Sequence, residues 1–271
     1  MKRYRFKSFS SGSCGNCYFL GIEEEGRIAA GILVDAGVSL RRTKQLMLQD
    51  HLSQDDWSAM LITHDHMDHI RSLGSFCKHQ KKPVWATKEL HHALAHNTFT
   101  FEHVGGVRKD LEPEGWSEIV PGRIFAHYFI VPHDATQTVG FAIRLDDQRF
   151  VLMTDIGRMT EEGLSWAKQA DTVVIESNYD VSMLAHGPYP EDLQARIRGG
   201  HGHLSNDQCA EAVTQFCHPG LRNIFLCHIS ENNNTPQAAH ACTAGALARI
   251  GAPDVRLVAL PRQTPSPLFI L

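Results

Sequence analysis

Short apolar runs, broken by glycine, asparagine and charged residues, dominate the opening stretch of the chain. Tyr4 to Phe9, Cys17 to Ile22 and Ala30 to Asp35 carry aromatic and branched aliphatic side chains over strand-like lengths. The spacing then changes, and Leu40 to Gln49 places its apolar residues on one helical face. Ala59 to Thr63 reads as a buried strand. A second block repeats this order with different residues. Ile130 to Pro132, Gly140 to Leu145 and Phe150 to Thr154 read as strands, Thr160 to Lys168 as a helix, and Thr172 to Glu176 as another strand. Two groups of strands with helices between them predict two sheets packed face to face and covered outside by helices, an α/β layered architecture. No linker divides the chain, so residues 1–271 are expected to form a single domain. The region from Thr98 to Gly122 is the least patterned and reads as an insertion or long loop.

Composition narrows the picture in a few respects. With 271 residues and 42% hydrophobic side chains, the chain can bury a sizeable core. A net charge of −4 gives no global basic character, so a polyanion would have to be met by a local patch and by metal cations. The seven cysteines show no paired framework, and the opening Met-Lys-Arg-Tyr-Arg-Phe-Lys lacks the apolar region of a secretory signal. No apolar run reaches the ~20 residues of a membrane span. A soluble cytoplasmic protein with reduced thiols is expected, with no membrane partner and no inferable protein partner.

The chemistry concentrates behind the strand at Ala59. His64, Asp65, His66, Asp68 and His69 pack three imidazoles and two carboxylates into six positions. Imidazole and carboxylate suit borderline and hard divalent metals, and a metal pair can acidify water toward hydroxide at neutral pH. Hydrolysis is the expected chemistry. The other candidate ligands each follow a strand-like run: Asp35 after Gly31 to Val34, His133 after Phe129 to Pro132, Asp155 after Phe150 to Thr154, and His228 after Ile224 to Cys227. Alone, each reads equally as a turn residue or a hydrogen-bonded core histidine. Together they mark one end of a sheet as a site.

That ordered set, a strand-end Asp, a His-x-His-x-Asp-His cluster, a lone His, an Asp and a final His, resembles the metallo-β-lactamase superfamily over nearly the whole chain. The resemblance implies a four-layer αββα sandwich and two divalent metal ions, zinc first, with manganese or iron as alternatives. It places one metal on His64, His66 and His133, the second on Asp68, His69 and His228, and Asp155 between them. Asp35 would orient the cluster by hydrogen bonding, and Asp65 joins the catalytic candidates in a supporting place. True zinc β-lactamases carry Cys where this chain has Asp155, which disfavours antibiotic hydrolysis. Only Ile229 to Leu271 follow the final histidine, which leaves no room for the redox domain of a diiron reductase.

A second signature lies at Gly202-His203-Leu204-Ser205-Asn206-Asp207-Gln208. Ser205 followed by Gln208 is a capping-box pattern, so a helix is expected to start there and offer a phosphate seat at its N-terminus. His203 stands just before it and is suited to protonating a leaving alkoxide. Glu176, at the end of the strand Thr172 to Glu176, could orient His203 and raise its pKa. The pairing resembles the tRNA 3′-processing endonucleases of the superfamily. A closer resemblance, to the YycJ/WalJ group of bacterial DNA exonucleases, rests on Ser10-Ser11-Gly12-Ser13-x-Gly15-Asn16-Cys17, Glu176-Ser177-Asn178-Tyr179-Asp180, Gly187-Pro188-Tyr189-Pro190, the His203 motif and His228-Ile229-Ser230-x-x-Asn233.

The expected activity is therefore phosphodiester hydrolysis on nucleic acid, DNA favoured over RNA, as a 5′–3′ exonuclease with a metal-bridging hydroxide as nucleophile. Ser205, Asn206, Asn178, Arg196 and Arg198 are the substrate-binding candidates, with Tyr179 beside them. Lys78, Lys81 and Lys82 form a basic patch that reads first as a solvated helix face. Cys14-x-x-Cys17 reads as a hairpin turn rather than a redox or metal pair. Two rivals stand: a small-molecule hydrolase (cyclic phosphodiesterase, lactonase or glyoxalase-type thioesterase) and a noncatalytic nucleic-acid binding subunit with a decayed site.

Overall fold

The computed structural model describes residues 1–252 and 254–271. Fourteen strands alternate with ten α-helices among the described residues. The strands are β1 (Lys2–Ser10), β2 (Cys17–Glu24), β3 (Arg27–Val34), β4 (Ala59–Leu61), β5 (Val84–Ala86), β6 (Arg108–Asp110), β7 (Ser117–Val120), β8 (Ile124–Val131), β9 (Thr138–Leu145), β10 (Gln148–Met153), β11 (Thr172–Glu176), β12 (Asn223–Cys227), β13 (Arg256–Ala259) and β14 (Phe269–Ile270). The helices are α1 (Leu40–Gln49), α2 (Met67–Ile70), α3 (Leu73–Gln80), α4 (Lys88–His96), α5 (Phe101–Val104), α6 (Glu161–Ala167), α7 (Val181–His186), α8 (Glu191–Arg198), α9 (Asn206–Phe216) and α10 (Pro236–Arg249).

Two seven-stranded mixed sheets result, in the orders β14-β1-β2-β3-β4-β5-β6 and β13-β12-β11-β10-β9-β8-β7. The inner faces share one core, in which Phe6, Tyr18 and Leu20 of the first sheet meet Phe141, Leu152 and Phe225 of the second. Alternation explains this sidedness. Along β10, Phe150 and Leu152 point inward while Val151 and Met153 point to the outer helices. Phe19, Leu33 and Met60 pack under α1, α3 and α4. Val173, Ile175, Ile224 and Leu226 pack under α9 and α10. The architecture is thus the expected αββα sandwich. No helix among the described residues is long and apolar enough to cross a membrane.

Most expected elements match to within a few residues, and α1 and β11 match at both ends. The stretch from Thr98 to Gly122 does not behave as an insertion. It supplies α5 and the edge strands of both sheets, β6 and β7. Strands of three and four residues, polar because they sit at sheet edges, carry too little alternation to announce themselves. Residues 11–16, including Cys14, form the turn between β1 and β2, and Cys14 and Cys17 are free thiols.

Candidate active site

Strands β3, β10, β11 and β12 all run parallel to a neighbour and end at the same side of the sandwich, so their C-terminal residues converge. Three of these residues hold left-handed backbone: Asp35 (φ 63), Asp155 (φ 53) and His228 (φ 52). Aspartate and histidine adopt that conformation more readily than most residues with a Cβ, and here it sits at three strand ends that meet in one place. The loop after β4 adds His64 and His66, and α2 adds Asp68 and His69.

All seven candidate ligands meet there. His64, His66 and His133 present nitrogens within 4.8 Å of one another, and so do the ligand atoms of Asp68, His69, Asp155 and His228. Asp155 lies between the groups, with Oδ2 3.1 Å from His69 Nε2 and Oδ1 3.8 Å from His133 Nε2. The hydrogen bonds aim the rings. His69 Nδ1 donates to Asp35 at 2.7 Å, His133 Nδ1 to the Gly202 carbonyl at 2.9 Å, and His64 Nδ1 to Thr63 Oγ1 at 3.0 Å. Asp35 also accepts from Thr63 N–H and Thr63 Oγ1, both at 2.9 Å. Each bond leaves Nε2 pointing at the centre. His64 Nε2 is buried without any hydrogen-bond partner. An orphaned imidazole nitrogen beside carboxylates fits a divalent cation of the borderline class.

Electrostatics divides the cluster. Burial pushes His64 well below the ordinary histidine value, and burial lowers His133 as well. His69 goes the other way: burial opposes its charge, but Asp155, Asp35 and Asp68 lift it to about 10. His228 is raised for the same reasons, chiefly by Asp155 against the cost of burial. Despite burial, Asp68 is held at about 2, with His69 and His228 as partners. The carboxylate group therefore demands positive charge that a cation would supply in place of protons.

Beside the cluster stands a pair outside both candidate ligand sets as the sequence divided them. His203 Nδ1 donates to Glu176 Oε1 at 2.7 Å, and His228 Nδ1 lies 3.0 Å from the same oxygen. Glu176 Oε2 accepts from Ile156 N–H (2.9 Å) and Leu204 N–H (3.1 Å). One fully buried carboxylate thus ties the Asp155 loop to the His203 loop. Burial works against a charge on His203, but Glu176 outweighs it and raises its pKa. Glu176 itself is held below the ordinary carboxylate range, burial notwithstanding, by His203. Glu176, His203, His228 and Asp155 also form a group with metal-ligand spacing.

The cluster opens into a cavity of about 270 Å³ lined by His203, Asn178, Arg196, Tyr189 and Ser13, among others. Asn178 Nδ2 donates to the His228 carbonyl at 2.8 Å. Arg196 pairs with Asp134, whose other oxygen lies 3.4 Å from His133 Nε2. The remaining expected residues are placed elsewhere. Asp65 binds Thr136 through its N–H (3.2 Å) and hydroxyl, and so tethers the loop after His133 rather than facing the cluster. Ser205 caps α9 at Gln208 N–H, and Asn206 is buried against Ser177 Oγ (2.7 Å) and Asn234. At the start of α9, the expected phosphate seat, two of the leading N–H groups are occupied. They bind Tyr179 O (Asn206 N, 2.8 Å) and Ser205 Oγ (Gln208 N, 3.1 Å). Tyr179 is buried by that contact, and Arg198 turns back to the Gln194 carbonyl. Lys82 lies under Trp57 with its ammonium 3.9 Å from the ring centroid, at the far end of α3 from the cluster.

Asn16 and Asp134 were not foreseen. Asn16 N–H donates to the Asp68 carbonyl (2.7 Å), and its side chain reaches Asp68 Oδ2 (3.1 Å) and His69 Nε2 (2.8 Å). Its signal was its place in the Ser10 to Cys17 motif, but sequence alone could not fold that turn onto residues 68 and 69. Asp134 directly follows His133, and that adjacency was its signal.

A family model described as a β-lactamase superfamily domain matches residues 31–229. The exodeoxyribonuclease YycJ of Bacillus anthracis is 32% identical over 256 residues, covering 91% of this chain and 90% of its own. The exodeoxyribonuclease WalJ of Streptococcus pneumoniae serotype 2 is 30% identical over 246 residues, covering 91% and 89%. Among solved structures, the metallo-β-lactamase-fold protein YhfI from Bacillus subtilis superposes with a TM-score of 0.68 at 11% identity, over 97% of this chain and 99% of the other. Human tRNase Z, short form, gives 0.62 at 13% identity over 98% and 100%.

Proposed function

The chain belongs to the β-lactamase superfamily and is a metal-dependent hydrolase, and from that premise we propose that it degrades DNA as a 5′–3′ exonuclease. The observation that carries this reading is the Glu176–His203 pair, 2.7 Å apart and facing the cavity beside the ligand cluster. The thiolate of a thioester leaves without help, whereas an alkoxide expelled from phosphorus needs a proton. His203 can deliver it. Its Nδ1–H is committed to Glu176, which leaves Nε2 as the atom that holds and gives up the proton. Glu176 raises its pKa and so favours the protonated form that can give the proton up. The names of the two curated relatives supply the substrate class.

His64, His66 and His133 would hold one cation, Asp68, His69 and His228 the second, and Asp155 would span both. Such a pair would supply charge neutralisation at phosphorus and a water acidified toward hydroxide. We take zinc as the resident metal, with manganese or iron as alternatives. The Asn178 amide fixes the His228 backbone, and Arg196 presents a guanidinium to substrate phosphates from the cavity wall.

The test is an end-labelled DNA duplex digested by the native protein with each metal, beside single-stranded DNA, RNA and cyclic or aryl phosphodiesters. Stepwise release of nucleotides from the 5′ end of DNA, with steep salt sensitivity, is the expected result. Cleavage of small phosphodiesters or lactones alone would replace this reading with a small-molecule hydrolase. Native protein devoid of metal would revive the noncatalytic subunit.

A further inference from the structure

At the other end of β9 and β10, away from the ligand cluster, Arg144 and Arg149 face each other directly across the antiparallel pair. Both are exposed. Like charges opposed on one face of a sheet destabilise it, so the arrangement asks for an anion. Among the described residues neither guanidinium forms a salt bridge, and the nearest carboxylates in the same row bind backbone instead. Glu118 accepts from Gly122 N–H at 2.8 Å, and Asp171 accepts from the backbone N–H of Arg149 at 2.8 Å. Arg144 instead lies over aromatic rings, 4.8 Å from Trp116 and 4.9 Å from Phe125.

Beside the arginines is a cavity of about 210 Å³. Its floor is the cross-strand pair Ala142 and Val151, two residues from the arginines and on the same face. The small Ala142 leaves the space open. Trp116, from the loop before β7, and Trp166, on α6, form aromatic walls, with ring centroids 5.5 Å apart and planes at 84°. Gln169 completes the lining. Its amide nitrogen is committed, since Nε2 donates to Ser165 O at 3.1 Å, and Oε1 is left to accept. An aromatic corner, two guanidiniums and one amide oxygen together match a nucleobase that carries a phosphate.

We propose that this pocket is a second nucleotide site, in which the base lies against Trp116 and Trp166 and the phosphate bridges Arg144 and Arg149. The ligand chemistry has two sources: a free mononucleotide, or one nucleotide unit of a DNA strand held away from the catalytic cavity. Only the second rests on the exonuclease reading. The charge conflict between Arg144 and Arg149 is then the cost of an anion site when the anion is away.

Two of the four tryptophans line this pocket and, among the described residues, none lines the catalytic cavity, so tryptophan emission reports on the pocket. The metal-loaded full chain is titrated with thymidine monophosphate and, separately, with an oligothymidine whose phosphorothioate linkages resist hydrolysis. Saturable quenching is expected, weakened at least tenfold in the Arg144→Gln/Arg149→Gln double variant, which keeps wild-type turnover of an aryl phosphodiester. Quenching by the mononucleotide assigns the free ligand, and quenching by the strand alone assigns the DNA unit. Both support the site whether or not DNA proves to be cleaved. No saturable change, undiminished quenching in the double variant, or equal displacement by inorganic phosphate would overturn it. Thermal melting gives a second check. Arg149→Gln without ligand should melt no lower than wild type, and a clear drop would make the pair structural and end the proposal.

Discussion

The two halves of the ligand cluster are built on opposite principles. His64, His66 and His133 form an all-imidazole group, in which burial lowers the pKa of His64 and His133 and one nitrogen has no hydrogen-bond partner among the described residues. Asp68, His69, Asp155 and His228 form a charged group, in which carboxylates raise the histidines and other residues brace them. Asp35, Asn16 and Glu176 all reach the charged half. The imidazole half relies on Thr63, the Gly202 carbonyl and Asp134. Burial leaves His64 and His133 ready to bind a cation without losing a proton, and the charged half must release protons to do so.

Asp155 is the hinge of that comparison, and its removal should have the largest effect. Asp155→Ala is expected to lose both cations and activity by on the order of 10³-fold, the scale of a major electrostatic contribution. Metal analysis that still finds a full pair, with activity intact, would separate the halves and refute the bridging role. His203→Ala should lower turnover by about 10²–10⁴-fold, with both cations retained. Lost metal would move His203 into the charged half, a grouping its spacing to Glu176, His228 and Asp155 permits.

Asn16→Ala should weaken cation binding by roughly 10–100-fold, and in the charged half alone. Equal weakening of both affinities, measured by competition with a chelating dye, would erase the distinction. A pH series probes the same contrast. Uptake by the charged half should strengthen as pH rises, because His69 must give up a proton it holds up to about pH 10. Its raised folded-state pKa also stabilises the cation-free protein fully below pH 6.5, and that contribution is lost as pH climbs toward 10. Melting curves of chelator-treated protein that stay level across this window would contradict the raised value. The smallest of these effects is a shift. Glu176→Gln should move the alkaline limb of the pH–rate profile to lower pH, since His203 loses the carboxylate that raises it.

Ligand positions were legible because each stands at the end of a run whose composition already read as a strand. Asp35, Asp155 and His228 needed no knowledge of which strands are neighbours. Glu176 and His203 were legible for the same reason, one ending β11 and the other preceding a capping box. What failed was the use of the capping box itself. The pattern at Ser205 and Gln208 fixes a helix start, but whether its N–H groups face solvent depends on Tyr179, which arrives from another strand end through a parallel bridge. Asn16 was illegible in the same sense, since its partners lie 52 and 53 residues away. Asp65 misled by its neighbours: alternation in so short a turn does not say which side chains look inward, and this one looks toward Thr136.

The left-handed backbone at Asp35, Asp155 and His228 has a consequence for substitution there. At such positions glycine, and to a lesser degree asparagine, is the residue the chain itself would choose. A glycine at any of the three would ease the backbone and take from the centre a candidate ligand or, at Asp35, the carboxylate that aims His69. Backbone comfort and the cluster's chemistry therefore pull on the same three residues in opposite directions.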